Sequence, residues 1–170
     1  MRVHKVKKIY TFTAGILLII LYIVIFCFSA EDAEHSSRAS VKVTEFLLRL
    51  YYGTASGSGG GGSGGGESIA DIVPLVEGFV RKLAHFTEYM CMGLLSYSIV
   101  ALWIRPVWRG WLIVVVQLFL SAGLDEFHQY FIPGRHASFK DVLIDVAGGV
   151  TGMVLLAVGR GIFLRLLRRR

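Results

Sequence analysis

Four long apolar segments constrain this chain more than any other feature of its sequence. The first covers residues 9–28, the second covers 83–104, the third starts near Trp111, and the fourth covers 142–158. A helix of about 20 apolar residues crosses a hydrocarbon core of about 30 Å. The third segment is purely apolar only to Gly123, so its continuation DEFHQYF must lie at membrane depth or just outside. We therefore predict an all-α fold, a four-transmembrane-helix bundle.

A cleaved signal peptide is the alternative interpretation of the first segment, because four basic residues precede it. Its apolar stretch, however, is longer than the 7–15 residues that are usual in a signal peptide. Phe28 also stands where cleavage after Ala30 would require a small residue. We therefore predict a retained membrane helix.

The composition agrees with a membrane protein. The 170 residues are 54% hydrophobic and only 18% charged, whereas soluble domains carry about 25% charged residues. This argues against a soluble enzyme, a disordered chain or a typical nucleic-acid binder. Cys27 and Cys91 both lie in apolar runs and form neither a disulfide framework nor a paired metal-ligand spacing. We predict that residues 1–170 form one membrane domain.

The distribution of charge predicts the orientation of the helices. Eleven Lys and Arg residues, and no acidic residue, fall at the two termini and in the loop between the second and third segments. Basic residues concentrate on the cytoplasmic side of a membrane. We therefore predict a multi-pass protein of the bacterial cell membrane with both termini cytoplasmic. The basic C-terminal tail could be an arm that binds nucleic acid. We favour the interpretation that it anchors the protein at the membrane and sets its orientation, and we predict no nucleic-acid partner.

About 50 residues separate the first two segments. Residues 36–52 have apolar side chains at helical spacing, which predicts an external interfacial helix between transmembrane helices 1 and 2. Residues 53–67 are a Gly/Ser-rich flexible linker that contains GSGGGGSGGG. Residues 67–80 are typical of a second short helix, interrupted near Pro74, that leads into the second span.

Polar residues that interrupt the second, third and fourth segments predict a functional site, because charge within a span is costly and marks function by default. Most are spaced three or four residues apart, so they share a helix face. Glu126 is rotated by about 100° from its neighbour Asp125. The predicted topology places all of them at external helix ends, where a bundle would converge them on one pocket. The turn that follows the third span adds one cation, Arg135. The residues of the predicted site are Arg81, Lys82, His85, Glu88, Asp125, Glu126, Gln129, Arg135, Asp141 and Asp145.

Several of these residues have a structural alternative when taken alone. Arg81 and Lys82 could extend to the headgroups. His85 could be a hydrogen-bonded structural histidine, and Asp125 or Asp145 could clamp two helices together. The presence of five acidic groups with several basic ones at one depth favours a functional site.

The fourth segment carries a packing signal on the face of Asp145. Gly148 and Gly152 continue this face, and small residues at this spacing let two helices approach closely. We predict that this helix packs tightly against a neighbour and directs its carboxylate into the bundle. We expect the carboxylate to pair with His85, Arg81 or Arg135.

Four motifs resemble the VanZ-like family of bacterial membrane proteins. They are FCFSAEDAEHSS at 26–37, RKLAHFTEYMCMGLL at 81–95, LDEFHQYFIPGR at 124–135 and FKDVLIDVAGGVTG at 139–152. The first departs from the family at Ala30-Glu31, where a Ser-Gln pair is frequent, so we give residues around it no role in the site. All ten residues of the predicted site occupy positions that match the family motifs.

The resemblance implies a plasma-membrane protein of Gram-positive type, linked to teicoplanin resistance and related to enzymes that exchange or cleave lipid headgroups at a phosphate. We predict an outward-facing site that acts on a phosphate-containing lipid or lipid-linked cell-envelope precursor, as a lipid-headgroup or polyprenyl-phosphate transferase or hydrolase. The alternative is a non-catalytic binder or shield of a cell-wall precursor, glycopeptide or partner membrane protein. A transporter is disfavoured, because the inner halves of the spans carry no charge.

The chemistry of a phosphate suggests the role of each residue. Arginine suits phosphate through its planar fork, and His85 is the best base or nucleophile near neutral pH. We assign catalytic roles to His85, Glu88, Asp125, Glu126 and Asp145. We assign substrate binding to Arg81, Lys82, Gln129, Arg135 and Asp141. The spacing of the residues does not indicate a zinc site, and we assign no metal ligand. The alternative that the acidic cluster holds a divalent cation through its oxygen atoms stays open.

Overall fold

The structure is a computed structural model that describes residues 2–56 and 69–168. These residues form five helices and no strand, which confirms the predicted all-α fold. The helices are α1 (Arg2–Ser29), α2 (Ala33–Ser56), α3 (Ile69–Trp103), α4 (Val107–Gln129) and α5 (Phe139–Arg168).

Helix α3 is the centre of the fold. It contacts each of the other four helices, and its contact with α5 is the most extensive. The core between α3, α4 and α5 is built from fully buried side chains that include Tyr89, Met92, Leu118 and Met153. Helix α1 packs against α3 and α4, and α2 packs against α3. The ends of α3, α4 and α5 are therefore held at fixed positions relative to one another.

Three helices of the described residues are long and apolar enough to cross a membrane, namely α1 from Val3, α4 and α5. Many of their large apolar side chains point outward, as Ile19, Val116 and Leu155 do. A soluble monomer rarely exposes more than a few hundred Å² of contiguous apolar surface, so this surface faces lipid. Helix α3 does not meet the same criterion. Its N-terminal half carries the charged residues of the second motif, which lower its mean hydropathy.

The segment before the second predicted span differs from expectation. We predicted a separate short helix over residues 67–80, but α3 is one helix of 35 residues that continues through residue 74. Residue 74 is the sixth residue of α3, where a proline removes one backbone hydrogen bond and crowds the preceding turn, so the packing of α3 against other helices is what keeps it continuous. Helix α2 covers residues 36–52, where we predicted a helix, and runs past residue 53, the predicted start of the linker. Its position at the membrane interface stays a prediction. Most of that linker lies outside the described residues.

Glycines allow α3 and α5 to touch backbone to backbone. Gly148 lies against the main chain of Phe86, and Gly152 lies against that of Met90. A methyl group at either glycine would overlap main-chain atoms of α3, so no larger residue fits without movement. The predicted small-residue packing of this helix is therefore confirmed.

Hydrogen bonds between side chains add to this packing inside the bundle. The Tyr22 hydroxyl of α1 lies 2.8 Å from the Ser121 hydroxyl of α4 and accepts a hydrogen bond of 2.7 Å from Gln117 Nε2. Trp111 Nε1 of α4 donates to the Tyr97 hydroxyl of α3 at 2.9 Å. These pairs satisfy polar groups that lipid could not solvate, and they fix α4 between α1 and α3.

Candidate functional site

The glycine contact between α3 and α5 sets the level of the candidate site. Phe86, which Gly148 touches, follows His85 directly in α3. Asp145 lies three residues before Gly148, on the same face of α5. The close backbone approach therefore brings the Asp145 carboxylate beside the His85 ring.

A triad forms at this level from three helices. One ring nitrogen of His85 and one carboxylate oxygen each of Asp125 and Asp145 all lie within 4.8 Å of one another. Asp145 is 2% exposed and Asp125 is 9% exposed, while His85 is half-buried. Two carboxylates and an imidazole therefore converge at one buried point.

Gln129 holds one member of the triad in place. Its Nε2 donates to Asp125 Oδ2 at 3.1 Å, one helical turn earlier in α4, and to the Ser29 hydroxyl of α1 at 3.1 Å. Gln129 is itself buried. The amide thus connects the end of α1 to the triad and fixes the orientation of the Asp125 carboxylate.

Two basic residues of α3 lie next to the triad. Lys82 Nζ forms an ion pair of 2.7 Å with Asp141 Oδ1 in the first turn of α5. Arg81 Nη1 lies 3.8 Å from Glu77 Oε1, which also accepts a hydrogen bond of 2.9 Å from the Ser37 hydroxyl of α2. Both ion pairs are partly exposed, so each basic side chain can exchange its carboxylate partner for another anion.

The turn between α4 and α5 supplies a third cation. Gly134 has a φ of 77°, a left-handed conformation that favours glycine, and the turn it makes directs Arg135 back over the site. Arg135 Nη2 donates to the Phe28 carbonyl at 3.2 Å. Partial burial, followed by the positive charge of Arg81, lowers the pKa of the Arg135 guanidinium. A guanidinium held close to a second one and partly away from water is a favourable partner for an anion.

Glu126 has an evident structural role. Its Oε2 accepts a hydrogen bond of 2.7 Å from the backbone N–H of Ser138, immediately before α5. An acceptor at this position satisfies a donor that the start of a helix leaves unpaired. The turn folds over the end of α4, which brings Glu126 to the site even though its helical phase differs from that of Asp125.

A cavity of about 210 Å³ lies among these groups. It is lined by three cations, three carboxylates, two histidines, one amide, one glycine and one apolar residue, so most of its lining residues are polar or charged. The lining residues are Arg81, Lys82, His85, Glu126, Gln129, Gly134, Arg135, His136, Asp141, Ile144 and Asp145.

Eight of the ten predicted site residues line this cavity, and the other two lie beside it. Asp125 is a member of the triad. Glu88 Oε2 lies 3.9 Å from His85 Nδ1. Asp145 faces the bundle as expected, but among the described residues it forms no ion pair with a basic side chain. The catalytic and binding roles that we assigned to the ten residues stay predictions.

Sequence reasoning missed the contribution of α1. Ser29 accepts the hydrogen bond from Gln129, and the Phe28 carbonyl accepts one from Arg135. The available signal was the position of Ser29 in the first motif, at the end of an apolar helix. The contact at Phe28 is made by its backbone carbonyl, which every residue has, so the residue type could not indicate it.

A larger cavity, of about 720 Å³, lies at the opposite end of the bundle. Its lining includes Lys7, Arg105 and Arg160 among apolar residues, and it contains no carboxylate or histidine. It therefore lacks a group that could exchange protons near neutral pH. We locate the candidate site at the smaller cavity because, of the two, it is the one that combines cations with carboxylates and histidines.

The fold and the site define a class, that of small all-helical membrane proteins with a polar pocket at one end of an apolar bundle. The sequence profile of the VanZ/LLP1 family matches residues 14–163. The chain belongs to this family, which is linked in general to glycopeptide resistance. No curated protein and no solved structure matches the chain significantly.

Proposed function

We propose that the polar pocket binds the phosphate headgroup of a membrane lipid or lipid-linked cell-envelope precursor and transfers or hydrolyses it. The observation that carries this proposal is the convergence of three cations and the buried triad on one cavity of an otherwise apolar bundle. A phosphate group carries negative charge, and the rest of a lipid is apolar, so the two parts match the pocket and the surface around it.

The cations account for binding. Arg135 presents a planar guanidinium that fits two phosphate oxygens at once, and Arg81 adds a second one nearby. Lys82 is a point charge whose partner Asp141 is partly exposed and can be displaced. Together they would stabilise the charge that develops on phosphate oxygens when a phosphorus–oxygen bond breaks.

The orientation in the membrane belongs to the same proposal. In this proposal α3 also spans the membrane, in addition to α1, α4 and α5. Its outer half is charged, but its inner half from Met92 to Trp103 contains no charged residue. Four spans with both basic termini in the cytoplasm place the pocket at the outer face of the cell membrane. Cell-envelope precursors are presented at that face, which is consistent with the general link of the family to glycopeptide resistance.

The test uses the purified full chain in nanodiscs and three probes: a phosphomonoester lipid, a phosphodiester lipid and a polyprenyl diphosphate. We expect at least one probe to lose its headgroup or phosphate, and we expect His85→Gln to slow this reaction by about 100-fold or more. Circular dichroism and gel filtration verify that the variant folds.

A non-catalytic shield gives a different result. It would bind one of the probes without consuming it, and His85→Gln would leave the affinity nearly unchanged. Consumption of a probe at the same rate by wild type and His85→Gln would show that the triad does not perform the chemistry.

A further inference from the structure

We propose that His85, Asp125 and Asp145 bind a divalent cation that accepts oxygen ligands together with one imidazole, for which Mn²⁺ is a suitable probe. The inference deepens the proposed function, and it rests on that function only for the use to which the cation is put. The three residues come from α3, α4 and α5, so the site exists only in the assembled bundle.

The geometry of the triad fits such an ion. With metal–ligand bonds of about 2.1 Å, neighbouring ligand atoms around an octahedral cation lie roughly 3.0 Å apart, and opposite ones lie roughly 4.2 Å apart. The three ligand atoms lie within 4.8 Å of one another. A small inward adjustment of the side chains therefore completes half of an octahedral shell.

The burial of Asp145 points to a ligand. Its side chain is 2% exposed and lines the cavity, yet none of the described residues forms an ion pair or hydrogen bond with it. A buried carboxylate without a partner is costly, because water no longer stabilises its charge. Within 4.8 Å of the Asp145 carboxylate lie the imidazole of His85 and a second carboxylate, that of Asp125, which repels it. A divalent cation would neutralise both carboxylates at once.

The surroundings of the triad resemble the support that metal ligands require. Gln129 donates a hydrogen bond to Asp125 Oδ2, so the other oxygen of the Asp125 carboxylate points away from Gln129. Such outer hydrogen bonds orient ligands and tune affinity. Glu88 lies 3.9 Å from His85 Nδ1 and adds negative charge beside the site. Lys82 does not occupy the triad, since its Nζ is paired with Asp141.

With a cation bound, the groups of the pocket would have separate roles. When bound, it supplies Lewis-acid stabilisation of negative charge on phosphate oxygens. His85 then serves as a ligand and not as a free base. Arg81, Lys82 and Arg135 line the same cavity and would hold the remaining phosphate oxygens.

The test measures Mn²⁺ binding to the full chain in detergent after treatment with EDTA. The electron paramagnetic resonance signal of free Mn²⁺ reports the fraction bound. We expect one Mn²⁺ per chain in the wild type and a loss of at least tenfold in affinity in Asp145→Asn, which keeps the shape of the side chain. The matched control is Asp141→Asn, which removes the same charge from the same cavity but not from the triad, and it should retain affinity within about threefold.

Thermal unfolding gives a second readout that is independent of activity. A cation that binds only the folded state raises the Tm, so Mn²⁺ should raise the Tm of the wild type and of Asp141→Asn but not that of Asp145→Asn. Absence of Mn²⁺ binding in the folded wild type, or an equal loss in the two variants, would overturn the proposal.

The outcomes separate the cation site from the proposed function. Mn²⁺ binding without consumption of any lipid phosphate supports the cation site and contradicts the proposed function. Consumption of a lipid phosphate by the EDTA-treated protein, with no response to added Mn²⁺, contradicts the cation site and leaves the proposed function in place.

Discussion

Gly148 of α5 lies so close to Phe86 of α3 that a methyl group at position 148 would overlap the Phe86 carbonyl oxygen. This contact determines how near Asp145 comes to His85, because Asp145 lies within one helical turn of Gly148 and His85 lies within one helical turn of Phe86. The geometry of the candidate site and the packing of the two helices therefore depend on the same few atoms.

Gly148→Ala should separate α3 from α5. Overpacking at such a contact costs about 1–3 kcal/mol in the free energy of unfolding, and the same displacement should weaken Mn²⁺ binding. Gly159→Ala is the matched control, because no atom of another residue lies within reach of a methyl group there. Alanine is a better helix former than glycine, so the control should be as stable as the wild type or more so. Unchanged stability of Gly148→Ala, measured by thermal unfolding in detergent, would contradict the close contact.

The side of the membrane on which the C-terminus lies reveals whether α3 is a span. With four spans both termini lie in the cytoplasm, but with α1, α4 and α5 alone the termini lie on opposite sides. We expect a C-terminal fluorescent protein to fluoresce and a C-terminal alkaline phosphatase to be inactive. An active C-terminal phosphatase would leave three spans and place the pocket elsewhere relative to the two faces.

Arg135→Lys should test whether the guanidinium fork matters. The variant keeps the charge but loses the two parallel donors, so the affinity for a phosphomonoester lipid should fall about tenfold. Arg109→Lys is the control, because Arg109 is exposed at the opposite end of the bundle and lies over the Trp108 ring. Native mass spectrometry of both variants with the lipid measures the difference. Equal affinities would exclude Arg135 from headgroup binding.

Tyr22→Phe should loosen the link between α1 and α4. The change removes a hydroxyl that contacts both Ser121 and Gln117, and hydrogen bonds between membrane helices contribute about 0.6–1.7 kcal/mol. Tyr130→Phe is the control, since Tyr130 is exposed after the end of α4. Unfolding in mixed detergent micelles compares the two, and a loss in Tyr130→Phe as large as that in Tyr22→Phe would show that the link contributes nothing.

Much of the fold could be predicted, because apolar length and helical period are properties of contiguous sequence. Each segment that the apolar pattern indicated lies within one of the helices to within a residue or two at its ends, and Gly148 and Gly152 identified the tight contact of α5. The continuity of α3 through Pro74 could not be predicted, since it depends on packing against α2 and α5 that overrides the local tendency of proline to end a helix.

The site could be predicted as a set of residues but not as a geometry. Shared helix faces indicated that His85 and Asp145 converge, yet the triad with Asp125 joins three helices, and no local spacing encodes it. The position of Glu126 also depended on tertiary structure, because the turn before α5 places Ser138 above its carboxylate. Ser29 stands in the first motif, but its hydrogen bond with Gln129 joins two helices distant in sequence, and the spacing within the motif does not predict that contact.

Helix α3 is much longer than a membrane is thick, and this sets the height of the pocket. Its 35 residues extend over roughly 52 Å, whereas the hydrocarbon core measures about 30 Å. Trp103 ends the helix with a ring of the type that rests among headgroups, and His85 lies roughly 27 Å farther along the axis. In the proposed topology His85 thus lies at the far edge of the hydrocarbon core, just below the headgroups of the opposite leaflet. A lipid would reach the pocket by lateral diffusion alone, without being lifted from the bilayer, whereas a soluble headgroup without acyl chains would lack this two-dimensional enrichment.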